Sequence, residues 1–106
     1  MRLEGQVRKL LNAVTVNGAG QAYQPIGARR TFQATGQTSA GAGTADVIVE
    51  GSNDGTNWTE IGTITLVLSS TISNGGFASE APWRHVRGRV ANLTGTNAAV
   101  SLNMGL

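Results

Sequence analysis

The chain has 106 residues, of which 40% are hydrophobic and only 13% charged, and seven Arg and one Lys stand against six acids for a formal charge of +2 at pH 7. A single domain of this size buries a sufficient core without metal or cross-link, and the lack of Cys excludes both a disulfide framework and a thiolate metal site. The charge is too slight for a nucleic-acid footprint, and no stretch approaches the ~20 apolar residues of a membrane-spanning helix.

A surface poor in charge leaves few ions to desolvate when a protein partner docks, and little like-charge repulsion to keep copies apart. Composition therefore directs attention to protein contact. It names no chemistry.

The first segment, "MRLEGQVRKLLNAVTV", is interrupted by Glu4, Gln6, Arg8 and Lys9, too often for a cleaved signal peptide, so the expectation is a chain kept soluble, or released by a route other than a cleaved signal. Val7, Leu10, Leu11 and Val14 fit a helical spacing, whereas Val14-Thr15-Val16 before "NGAG" fits a strand entering a turn. A helix beginning near Gly5 has no capping residue. Residues 1–29 are accordingly expected to be an N-terminal arm or first strand, and residues 30–106 the body of the domain.

Beyond residue 29, short runs rich in Val, Ile, Thr and Leu alternate with clusters of Gly, Asn and Ser. Strands are expected at Arg30–Thr35, Ala45–Gly51, Thr59–Leu68, Trp83–Leu93 and Ala98–Met104. In the last of these, Ala98, Val100, Leu102 and Met104 alternate with Ala99, Ser101 and Asn103, as a half-buried strand requires. Residues 36–44, "GQTSAGAGT", are expected to form a mobile loop or arm, because small residues lose much backbone entropy on ordering. Residues 69–79, "SSTISNGGFAS", read as a second long connection turning at Asn74-Gly75-Gly76. Pro82 restricts Ala81 and opens the following strand at its edge.

These elements define an all-β chain, an antiparallel β-sandwich or jelly-roll-like barrel with an extended N-terminal arm. One Lys and two Pro give its sheet edges little protection against pairing with another chain.

Two stretches carry candidate sites. In "SNDG", Ser52 to Gly55 supply the residues of a tight turn, and Trp58 follows close enough to fold its ring over the hairpin. A ligand reading places Asn53 and Asp54 on sugar hydroxyls with Trp58 stacked on the sugar. One carboxylate is too few for a calcium ion's six to eight oxygens, so no metal and no cofactor is expected. In "WRHVRGRV", alternation puts Val86, Gly88 and Val90 on one face and His85, Arg87 and Arg89 on the other, with Trp83 and Ala91. The two arginines form a basic stripe suited to carboxylates, or pair with Glu50 or Glu60 on adjacent strands. Arg29-Arg30 is a second basic point. His85 lacks a partner nucleophile and the acids show no paired spacing, so no enzyme activity is expected.

The pairing of "VEGSNDGTNWTEIG" with "APWRHVRGRVANLTGTNAAVSLNMG" resembles small virion proteins of tailed bacteriophages, notably capsid decoration or cement proteins. That resemblance implies a structural protein of the virion, assembled in the host cytoplasm, that stabilises a capsid by bridging neighbouring subunits. It implies the major capsid protein as partner, self-association as a homo-oligomer, and neither nucleic acid nor membrane. On this reading the contact residues are Arg2, Val7, Leu10 and Leu11 of the arm from Arg2 to Val16, the loop 36–44, and Arg87 with Arg89. "SNDGTNW" followed by "WRHVRGRV" is also similar to discoidin-type carbohydrate-binding domains, which implies Asn53, Asp54 and Trp58 as the alternative ligand site.

Overall fold

The computed structural model describes residues 7–25 and 29–105. Eight strands follow in order: β1 (Val7–Val14), β2 (Gly18–Ala19), β3 (Arg30–Gln37), β4 (Ala40–Ser52), β5 (Thr59–Leu68), β6 (Ser73–Ser79), β7 (His85–Thr96) and β8 (Ala99–Gly105). They form two four-stranded antiparallel sheets, ordered β1-β8-β3-β6 and β2-β7-β4-β5. The chain changes sheet at every connection except β4 to β5, so consecutive strands face each other across the core. The fold is an all-β, antiparallel sandwich.

Alternation explains how the sheets stick together. Val47 and Val49 of β4, Leu66 and Leu68 of β5, Val86 and Val90 of β7 and Val100, Leu102 and Met104 of β8 are all buried, while Val67, Arg87, Arg89, Ser101 and Asn103 between them are exposed or only partly covered; β4 is covered on both faces, with Ile48 also buried. Phe32 of β3 meets Phe77 of β6 with ring centroids 5.1 Å apart, filling one flank of the core.

β1 shows why the N-terminal pattern is ambiguous. It pairs antiparallel with β8 but slips register between Lys9 and Leu11 and again between Leu11 and Val14. Bulges of this kind let the successive residues Leu10 and Leu11 both turn inward, each 3% exposed, and a period of two cannot produce that. From Val7 onward the segment is a strand of the sandwich. Gly5 and Arg2 lie outside the described residues.

Two expectations are corrected. Residues 36–44 are not a mobile loop: β3 continues to Gln37, β4 begins at Ala40, and only Thr38 and Ser39 join them. Thr38 is 1% exposed, its N–H donates to the Ser69 carbonyl at 2.9 Å and its hydroxyl to the Gly41 carbonyl at 2.7 Å. Gly36 is required by packing, since a Cβ there would stand 2.7 Å from Leu68 Cδ2 and 2.9 Å from Val100 Cγ1. Residues 69–79 are not one long connection either. β6 pairs along its whole length with β3, from Gly36↔Ser73 to Arg30↔Ser79, and Asn74-Gly75-Gly76 lies inside it. The turn falls earlier, where Ser69 Oγ accepts the Thr71 N–H at 3.2 Å. Gly36 and Gly75 each make room for a neighbour, Ile64 in the case of Gly75, and mark no turn.

Candidate functional site

The outer face of the β2-β7-β4-β5 sheet gathers the charged side chains of the central strands. Register places Glu50 of β4 opposite Arg87 of β7, Ile48 opposite Arg89, and Ser52 opposite His85. Residues opposite one another share a face, so the two arginines stand on either side of one carboxylate. Arg87 Nε donates to Glu50 Oε1 at 2.9 Å and Arg89 Nε to Glu50 Oε2 at 3.2 Å. The carboxylate is nearly covered, with its side chain 10% exposed against 25% for Arg87 and 38% for Arg89.

Both arginines engage Glu50 through Nε, which leaves their Nη groups out of that pairing. Trp58 completes the arrangement. Its ring lies under the Arg87 guanidinium, 4.2 Å from the guanidinium carbon to the ring centre, a cation–π contact that holds the side chain against the sheet. On the next row, the turn at Gly55 (φ 75°) passes over the His85 ring.

The turn that precedes Trp58 is built on Asp54. Its carboxylate accepts the Ser52 hydroxyl at 2.9 Å, the Thr56 N–H at 2.8 Å, the Asn57 N–H at 2.8 Å and the Asn57 side-chain amide at 2.8 Å. The backbone N–H of Asn57 leads these donors in holding Asp54 well below the usual carboxylate range. Asn53 Oδ1 accepts the Arg84 N–H at 3.3 Å. Asn53, Asp54 and Trp58 therefore do come close in one hairpin, but each is engaged within the protein: Asp54 holds the turn, Asn53 ties it to Arg84, and Trp58 supports Arg87.

The remaining expected residues scatter. Val7 is 62% exposed at the far end of β1, beside Gly105, whereas Leu10 and Leu11 belong to the core. Arg30 is a correction to the second basic point: it is 4% exposed, and its Nη1 donates to the Ala81 and Trp83 carbonyls at 3.2 and 3.1 Å. Burial lowers its pKa from the ordinary value through desolvation. It clamps the segment entering β7. Arg29 is exposed and pairs with Glu80 at 3.1 Å.

Trp83 is a second correction. It does not share the arginine face, because the strand begins only at His85 and the alternation does not extend back through Arg84. Its indole instead covers Gly51 and packs against the core. The aromatic beside the arginines is Trp58, brought from the β4–β5 hairpin, and no spacing within "WRHVRGRV" could have signalled it.

Among the described residues, no three His, Cys, Asp or Glu side chains are grouped to hold a metal ion, and no helix is long and apolar enough to cross a membrane. The arrangement is a shallow, pre-paired surface. It can bind carboxylate or phosphate oxygens through guanidinium N–H groups other than the Nε that each arginine gives to Glu50.

No protein-family model matches the chain, and no curated protein matches it. Among solved structures the chain is similar to the PBSX exported protein XepA, with a TM-score of 0.62 and 14% identity, over 95% of this chain and 36% of that one. The likeness is one of fold: this sandwich corresponds to about a third of the length of that protein.

Proposed function

We propose that the chain is a structural virion protein of a tailed bacteriophage that binds the capsid and stabilises it by bridging neighbouring capsid subunits. The observation that carries this reading is the Glu50-held arginine pair on an open sheet face. A flat strand surface with two guanidinium groups fixed in place suits docking onto an acidic protein surface, since little side-chain entropy remains to be lost on contact. The strand order β1-β8-β3-β6 against β2-β7-β4-β5 supports reading the sandwich as a jelly roll, an arrangement recurrent in viral capsid domains. The fold shared with XepA supports the architecture of this reading, a sandwich that serves there as one part of an exported protein.

Each copy contributes a modest contact, and a shell displaying many equivalent sites adds them by multivalency. The major capsid protein is the partner, and Arg87 with Arg89 meet its acidic residues. Shells stripped of this protein are expected to lose resistance to heat or denaturant and to regain it on rebinding the wild type but not the Arg87→Glu/Arg89→Glu variant. Stripped shells that are equally resistant and fail to rebind the protein would overturn the proposal.

A further inference from the structure

The sandwich is polarised from end to end. Antiparallel register brings the connections 15–17, 38–39, 69–72 and 97–98 to one end, where Val14 pairs with Val100, Gly36 with Ser73 and Gly43 with Leu68. Across positions 15–17, 38–44, 67–73 and 92–98 there is no Asp, Glu, Lys, Arg or His. The other end carries Arg8, Lys9, Arg29, Asp54, Glu60, Glu80, Arg84 and His85. Among the described residues four large hydrophobic side chains are exposed, and three of them belong to the uncharged end: Val16 at 68%, Val67 at 73% and Ile72 at 61%. Ile72 also flanks a cleft of about 420 Å³ lined by Thr35, Gln37, Ser39, Asn97 and Ala99, again without charge.

We infer that this end is a self-association surface whose occupant is the same end of a second copy. Like-to-like contact requires complementarity of a surface with itself, and a surface without charge meets its twofold mate without repulsion and without needing an opposite partner. The hydroxyl and amide groups of the rim can each donate and accept, so both copies can satisfy one another.

The available area sets the strength. The molecule measures 42 × 31 × 17 Å, and the 13 residues of β4 account for the long dimension at a rise of about 3.3 Å per residue. The end face is therefore 31 × 17 Å, so an end-to-end contact removes roughly 1,000 Å² in total, the lower limit of a specific interface. Association is weak and reversible, and the dimer is a rod with its charged ends outermost. This inference stands apart from capsid binding, which uses the sheet face.

Sedimentation velocity on the full chain, from low micromolar to about millimolar concentration, tests it. The expected result is an elongated dimer that forms with rising concentration and is unmoved by added salt, because no charge is screened at the contact. Val16→Lys and Ile72→Lys each bring two like charges together across the twofold and are expected to weaken the dimer about tenfold or more. Thr71→Lys, in the same turn as Ile72, gives a third probe should either of these misfold, and Val7→Lys at the opposite end is expected to change nothing. A protein that stays monomeric throughout, an association that salt dissolves, or a Val7→Lys effect equal to that of Ile72→Lys would overturn the inference. A monomer that still restores stripped shells would do so while leaving the capsid reading intact.

Discussion

Replacing Glu50 by Ala is expected to be among the most damaging single changes on the outer surface of the protein. The substitution removes the acceptor of two charge-assisted hydrogen bonds, at 2.9 and 3.2 Å, from a carboxylate only 10% exposed. A hydrogen bond to a charged group contributes about 1.5–3 kcal/mol. Arg87 at 25% exposure retains a good part of that value, whereas Arg89 at 38% is screened by solvent and counts for less, about 0.5 kcal/mol. The two guanidinium groups, about 7 Å apart on alternate residues of β7, then repel without a counter-charge, which adds about 0.5–1 kcal/mol at a near-aqueous dielectric. The sum is about 2–3 kcal/mol, or roughly 8–15 °C in melting temperature for a domain of this size. Urea denaturation measures it, with Glu50→Gln expected to recover part of the loss through its remaining acceptor. The cycle Glu50→Ala/Arg87→Ala is expected to show coupling of about 1 kcal/mol or more. A Glu50→Ala loss below about 0.5 kcal/mol, or strict additivity with Arg87→Ala, would refute the view that the carboxylate organises this face.

Leu11→Ala is expected to cost about 2–4 kcal/mol in the same measurement, because Leu11 is buried against Gly88 and Leu102; an unaffected midpoint would mean that β1 contributes no core. Gly88→Ala is expected to destabilise by about 1–3 kcal/mol through overpacking, since its Cβ would stand 2.7 Å from Leu102 Cδ2 and 3.0 Å from Leu11 Cγ; Leu102→Ala in the same chain is expected to relieve part of that cost. Asp54 gives a pH dependence of defined sign. Its folded pKa is depressed, so its contribution is complete above the unfolded carboxylate value of about 3.9 and fades as pH falls below it toward the folded value. Thermal melts should therefore show the wild type and Asp54→Ala converging below about pH 4; a constant difference down to pH 2 would exclude Asp54 as the source.

Strands with an unbroken period of two were legible from sequence. Thr59–Leu68 was expected and found with the same bounds, and Ala98–Met104 differs from β8 by one residue at each end. The glycine-rich stretches were not, because sequence shows only that glycine is flexible. Whether it loosens a loop or makes room for Leu68 and Val100, as Gly36 does, depends on residues far along the chain. β1 failed the periodic test for a different reason, the two register slips that bury Leu10 beside Leu11. At the site, strand parity puts Arg87 and Arg89 on one outward face, and Glu50 and Glu60 are the two acids on adjacent strands that sequence offers as partners. The choice between Glu50 and Glu60 is made by sheet order, which puts β4 and not β5 beside β7.

Turn chemistry alone accounts for part of the uncharged end. Three of its connections are very short, and positive φ falls at Gly41 (72°), Asn92 (53°), Gly95 (118°) and Asn97 (51°), where Gly and Asn are favoured. The hydroxyl residues Ser69 and Ser39 likewise serve the turns, bonding to Thr71 and Thr96. Turn geometry makes no such demand at Val16, Val67 or Ile72, whose side chains are more than 60% exposed and make no hydrogen bond that a lysine would lose. Val67 lies in β5, where Val is favoured over Lys, but Val16 and Ile72 lie outside the strands and are expected to tolerate a charge at little cost to the fold, and a charge there would protect the end against association. Fold stability therefore accounts for the small residues of that end and for Val67, and makes no demand for Val16 or Ile72. The contact inferred between copies would cover them, which is why lysine at Ile72 and Val16 separates the two explanations: it is expected to leave unfolding unchanged and to act only on the assembly.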